Sequence, residues 1–224
     1  MKNFLSVIWS VIWKDFKTEW RGKEQISSML VFALLVIIIF NFSLELDLPA
    51  RESVISGVLW VTFAFAGTIG INRSLSSETD QGGLQALLLA PADRSYIYLG
   101  KLVGNFSFML VTELIVIPVY SFLYQVNLFK FSFFLVVVLG SLGYTAVGTL
   151  LAVMTVQTRT RDILLPILLF PLTLPMLIPA VKASQILLDG SSIIEANLWV
   201  NLLLVYNLIF LTLAVVLFEY VVEE

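Results

Sequence analysis

The sequence has no cysteine and no histidine. The first absence excludes disulfides and thiolate chemistry, and the second removes imidazole metal ligation and the commonest general base. Charge is scarce too: 13% of the 224 residues are Asp, Glu, Lys or Arg, 59% are hydrophobic, and the mean hydropathy is +0.96. Soluble domains carry roughly a quarter charged residues, so water is not the only solvent of this chain. No G-x-x-x-x-G-K-[ST] stretch occurs, so nucleotide phosphates have no P-loop here. Without a Ser–His pair, a metal-ligand cluster or a Gly-rich dinucleotide turn, an intramembrane enzyme would have few tools. The basic residues are spread along membrane edges rather than gathered in a patch, which excludes nucleic acid as a partner.

What the chain does have is apolar blocks of about 20 residues, the length at which a helix rising 1.5 Å per residue crosses a hydrocarbon core of roughly 30 Å. Six such blocks, near 26–44, 53–71, 99–123, 131–156, 162–181 and 198–220, predict an all-α integral membrane protein with one domain over 1–224. Residues 1–25 do not read as a cleaved signal, because charge interrupts their apolar run and no small-residue cleavage site follows. Phe4, Leu5, Ile8, Trp9, Ile12, Trp13, Phe16 and Trp20 recur at helical spacing, opposite Asn3, Ser6, Ser10, Lys14, Lys17 and Arg21. That pattern predicts an interfacial amphipathic helix, or a soluble one docked on a partner.

Six crossings place both termini on one side. Lys2, Lys14, Lys17, Arg21, Lys23, Arg73, Arg94, Lys101, Arg159 and Arg161 fall on that side, against Arg51, Lys130 and Lys182 on the other. The positive-inside rule makes the first side the cytoplasm. The cytoplasmic stretch 72–98 is long enough for a short surface helix, with Ser76, Ser77 and Asp80 as candidate caps, Leu84, Leu87 and Leu88 on one face, and Pro91 as its stop. The outer stretch 182–197 turns at Asp189-Gly190-Ser191-Ser192 and is expected to sit near the bilayer edge.

Three intramembrane features call for a reason. Glu113 sits mid-span, where a carboxylate costs on the order of 2.5–3.5 kcal/mol, so it is expected to face the bundle, as a polar point on a path or as a packing contact. Thr112 or a hydroxyl on another helix is its expected partner. Pro166, Pro171, Pro175 and Pro179 each remove a backbone donor from the fifth span, which predicts a bent or broken helix, a fixed kink or a moving gate with Thr173 among the partners of the freed carbonyls. Small residues in the second span (Ala64, Ala66, Gly67, Thr68, Gly70) and the fourth (Gly140, Ser141, Gly143, Thr145, Gly148, Thr149, Ala152) predict close helix packing, one stripe being a candidate seam between two copies.

The run Ser77-Glu78-Thr79-Asp80-Gln81-Gly82-Gly83-Leu84-Gln85-Ala86-Leu87-Leu88-Leu89-Ala90-Pro91 resembles the cytoplasmic loop of type 2 ABC export permeases. Gly57-Val58-Leu59-Trp60-Val61, Arg73, Lys101 and the segment from Leu169 to Pro179 extend the likeness, across nearly the whole chain, to the CcmB family of heme exporter permeases of cytochrome c maturation. The resemblance implies a type 2 ABC exporter-like bundle and a non-enzymatic transporter subunit of the bacterial inner membrane. It also implies a CcmA-type ATPase that holds the ATP, two copies of each subunit, and CcmC, CcmD and CcmE-type heme-handling partners. Glu78, Asp80, Gly82, Gly83, Leu84, Leu87, Leu88 and Pro91 would form the ATPase-coupling loop, or simply a solvated, membrane-facing one. Heme would be cargo of the complex rather than a resident cofactor, since axial ligands here would have to be Met or Tyr. A generic exporter of lipid, drug or glycan, and a non-transporting scaffold that transmits motion, are the alternative readings.

Overall fold

The computed structural model of the chain describes residues 4–43, 48–80, 93–155, 158 and 160–221. Among them are seven helices and no strand: α1 (Phe4–Gly22), α2 (Glu24–Ser43), α3 (Leu48–Asp80), α4 (Arg94–Tyr124), α5 (Phe131–Thr155), α6 (Arg161–Leu188) and α7 (Asn197–Val221). Helices α2 to α7 are each long and apolar enough to cross a membrane, as the six blocks of sequence require. α3 and α5 are the interior helices; α5 touches α3, α4, α6 and α7.

The turn between α1 and α2 is a single residue. Lys23 takes φ 53° and donates its N–H to the Glu19 carbonyl at 2.7 Å. The Glu19 carboxylate accepts from the N–H groups of Gln25 (3.2 Å) and Ile26 (2.8 Å), so the last turn of α1 caps the first turn of α2. At the start of α4, Asp93 accepts from the Ser95 N–H at 2.9 Å. At its end Gln125 takes φ 55° in a left-handed C-cap.

Inside lipid a tyrosine hydroxyl must find an acceptor within the protein, and the buried tyrosines use helix carbonyls. Tyr98 donates to Ala146, Tyr120 to Ile55 and Tyr144 to Ala64 at 2.6–3.0 Å, and half-buried contacts such as Tyr206 to Leu172 (3.0 Å) follow the same rule. Each ties two different helices.

Four sequence expectations change. α3 runs unbroken to Asp80 and α4 begins at Arg94, so Ser76 and Ser77 lie inside a long spanning helix instead of capping a separate surface one. A continuous α-helix satisfies their backbone groups without a cap. Gly82, Gly83, Leu84, Leu87, Leu88 and Pro91 lie outside the described residues. α6 is a continuous helix through all four prolines and reaches Leu188, so it is not broken, and the outer stretch shortens to 189–196. Thr173 donates to the Leu169 (2.9 Å) and Phe170 (3.2 Å) carbonyls, neither of which a proline has freed. Pro171 and Pro175 face outward and only Pro179 is buried.

The small-residue stripes are filled from within the chain. A Cβ on Gly140 would lie 2.1 Å from the Trp60 ring, one on Gly70 2.3 Å from the Met29 sulfur, and one on Gly148 2.5 Å from Ile71. These stripes seat large side chains of neighbouring helices, so neither is a seam between copies.

Candidate coupling site

The described part of the loop region is the helix that leads into it. α3 carries Glu78 and Asp80 in its last turn, at the bundle end where α2 and α6 begin. Three polar links radiate from this end. Arg73 of α3 pairs with Glu24 of α2, and Asn72 donates to Asp162 of α6 at 3.0 Å. These four residues, with Ser28, Ile69 and Ser76, line a recess of about 640 Å³. Both links are exposed, so they position the helices more than they stabilise them.

The third link is buried. Lys101 Nζ of α4 donates to both carboxylate oxygens of Asp15 on α1, at 3.1 and 3.0 Å, and Lys101 is only 2% exposed. The helices approach closely because Gly100 and Gly104 form a groove on α4. A Cβ on Gly100 would lie 2.7 Å from Val11, and one on Gly104 3.1 Å from the Asp15 carboxylate. α1 therefore buries Val7, Val11 and Asp15, a stripe spaced by four, against α4, while Leu5, Trp9, Trp13 and Trp20 face outward. Lys14 also pairs with Asp15, at 3.2 Å. Partial burial, then the neighbouring Lys101 ammonium, brings its pKa down to about 8.

This clasp is absent from the sequence reading, which treats Lys101 as an edge cation. The available signal was Gly100-x-x-x-Gly104 beside a lysine at the start of an apolar run, a small-xxx-small groove. Behind it, a buried polar chain joins α2, α4 and α5: Gln25 donates to Asn105 (3.4 Å) and Asn105 to Thr149 (3.1 Å).

Glu113 lies farther along α4, away from the clasp, and is 2% exposed. Ser141 of α5 donates to its Oε1 at 2.6 Å, which is the partner on another helix that the sequence called for. Thr112 instead donates to the Phe108 carbonyl at 3.0 Å. Oε2 of Glu113 has no partner among the described residues. The structure thus ties the end of α3 to α2 and α6 and the start of α4 to α1, and leaves Glu113 and the prolines elsewhere. Among the described residues no cluster of three or more acidic side chains is placed to hold a metal.

A family model, that of the CcmB protein, matches residues 6–222. The chain belongs to the CcmB family. Heme exporter protein B of Pseudomonas aeruginosa is 22% identical over 191 residues, covering 85% of this chain and 84% of that one. The protein of the same name from Haemophilus influenzae is 24% identical over 170 residues, 75% of this chain and 76% of that one. Its counterpart in Escherichia coli K12 is 24% identical over 183 residues, 79% of this chain and 81% of that one. With six spanning helices, this CcmB-family chain is a multi-pass inner-membrane protein.

Proposed function

We propose that the chain is the permease subunit of an ABC transporter complex serving heme export in cytochrome c maturation, driven by a separate CcmA-type ATPase. Family membership over residues 6–222 carries this reading. The mechanical part rests on continuity. Residues 81–92 connect two long helices, so a force on that segment acts directly on α3 and α4. From there Asn72–Asp162 leads to α6, Arg73–Glu24 to α2, and Lys101–Asp15 to α1.

In this scheme Leu84, Leu87 and Leu88 fill a groove on the ATPase, while Glu78 and Asp80 meet its basic residues or helix ends. Two copies assemble with two ATPases, both termini are cytoplasmic, and CcmC, CcmD and a CcmE-type chaperone are the heme-handling partners. Replacing Leu87 and Leu88 with aspartate abolishes co-purification with the ATPase and leaves membrane insertion intact; unchanged co-purification rejects the scheme.

One observation favours a motion-transmitting role over a path through a single subunit. Trp60, Tyr98, Tyr120 and Tyr144 fill the interior with fully buried side chains. If the chain only transmits motion, cells lacking it accumulate heme-loaded chaperone; if it carries heme outward, they fail to form it.

A further inference from the structure

The outward face of α1 carries chemistry that coupling does not use. Trp13, Phe16, Lys17, Trp20 and Arg21 line a groove of about 350 Å³. Trp13 and Trp20 are 61% and 84% exposed. Phe16 anchors the groove to the bundle through its ring contact with Phe108 of α4, with centroids 4.9 Å apart.

The charge around this groove is one-sided. Lys17 and Arg21, one helical turn apart, both line it, and no carboxylate does. The two acidic residues of this part of α1 are engaged elsewhere: Asp15 with Lys101 on the opposite face, and Glu19 with the backbone of Gln25 and Ile26. Neither Lys17 nor Arg21 has an acidic partner among the described residues. A tryptophan-walled apolar trough beside two uncompensated cations fits an amphiphile with acyl chains and an anionic head. A soluble anion would leave the trough empty, and a zwitterionic head would bring its own cation against Lys17 and Arg21.

We propose that this groove binds one anionic phospholipid, its acyl chains along Trp13, Phe16 and Trp20 and its phosphate on Lys17 and Arg21. The site is independent of whether an ATPase docks at the loop. Its occupant holds α1 at headgroup depth, and the Asp15–Lys101 clasp passes that constraint to α4.

The test is native mass spectrometry of the detergent-purified full chain titrated with phosphatidylglycerol or phosphatidylcholine of identical acyl chains. The wild type retains phosphatidylglycerol about thirtyfold better, as two basic residues near an anionic headgroup imply. Lys17→Gln with Arg21→Gln removes the preference, and Trp13→Ala with Trp20→Ala weakens retention of both lipids. Glycerol 3-phosphate, which has the head without the chains, does not compete. All four positions are exposed, and an unchanged lipid-free melting temperature shows that each variant is folded. Equal retention of the two lipids by the wild type, or a preference that survives the charge-removing pair, overturns the proposal.

Discussion

The indole of Trp60 occupies the space that a side chain on Gly140 would need. Its ring lies 2.1 Å from where a Gly140 Cβ would stand, and its N–H donates to Ser184 of α6 at 2.9 Å. Trp60 is 1% exposed, so the ring has nowhere to move without breaking that bond. Gly140→Ala therefore destabilises the bundle by about 1–3 kcal/mol, the usual cost of overpacking. Thermal unfolding in detergent measures it, and Gly143→Ala, where the nearest atom is 3.0 Å away on Tyr206, loses less.

The Asp15–Lys101 clasp yields a second prediction. Removing Asp15 leaves the Lys101 ammonium buried without its counter-charge, so Asp15→Leu costs about 3–5 kcal/mol; Lys101→Met costs less, because Asp15 keeps Lys14 at 3.2 Å. The double variant Asp15→Leu with Lys101→Met recovers most of that loss. Limited proteolysis of α1 provides the readout; two independent, additive losses would show that the residues do not act as a pair.

Lys14 makes stability depend on pH. Its pKa is near 8 in the folded chain against 10.5 in the unfolded one, so folding disfavours the charged form. Below about pH 8 both states hold the proton and Lys14 adds no slope. Between 8 and 10.5 the unfolded state binds more protons, so its contribution to stability rises with pH. Lys14→Met removes that rise, seen as a smaller gain in melting temperature between pH 7.5 and 9.5 than in the wild type.

Ser141 provides the one hydrogen bond made to the Glu113 carboxyl among the described residues. Ser141→Ala leaves both oxygens without a donor in the bundle interior and costs about 1–3 kcal/mol. Glu113→Gln keeps the acceptor for Ser141 and stays within about 1 kcal/mol of wild type by the same unfolding assay. A neutral Ser141→Ala would mean that this contact does not hold α4 to α5.

The six spans were legible because lipid imposes a length and an apolar composition that no other solvent demands. The orientation of α1 was only half legible. In water the apolar stripe of a helix faces the core, but next to lipid it faces out, which is why Trp9, Trp13 and Trp20 are exposed while Asp15 is buried. The partner of Asp15 is 86 residues away, a separation that helical periodicity cannot bridge. The prolines of α6 were visible, yet the helix continues through them, which spanning helices packed among neighbours tolerate. Ser76 and Ser77 resembled caps because a serine before an apolar face often is one; what overrode that signal was the length of α3.

We propose that this chain acts only when a nucleotide-hydrolysing partner pushes on the bundle end that carries residues 81–92. Affinity purification of the tagged chain from its native membrane, followed by mass spectrometry and an ATP hydrolysis assay of the eluate, tests it most directly. A CcmA-like ATPase is expected in the eluate in roughly equal amount, with hydrolysis lost on Leu87→Asp with Leu88→Asp. A purified chain that supports cytochrome c maturation with no such partner bound would contradict it.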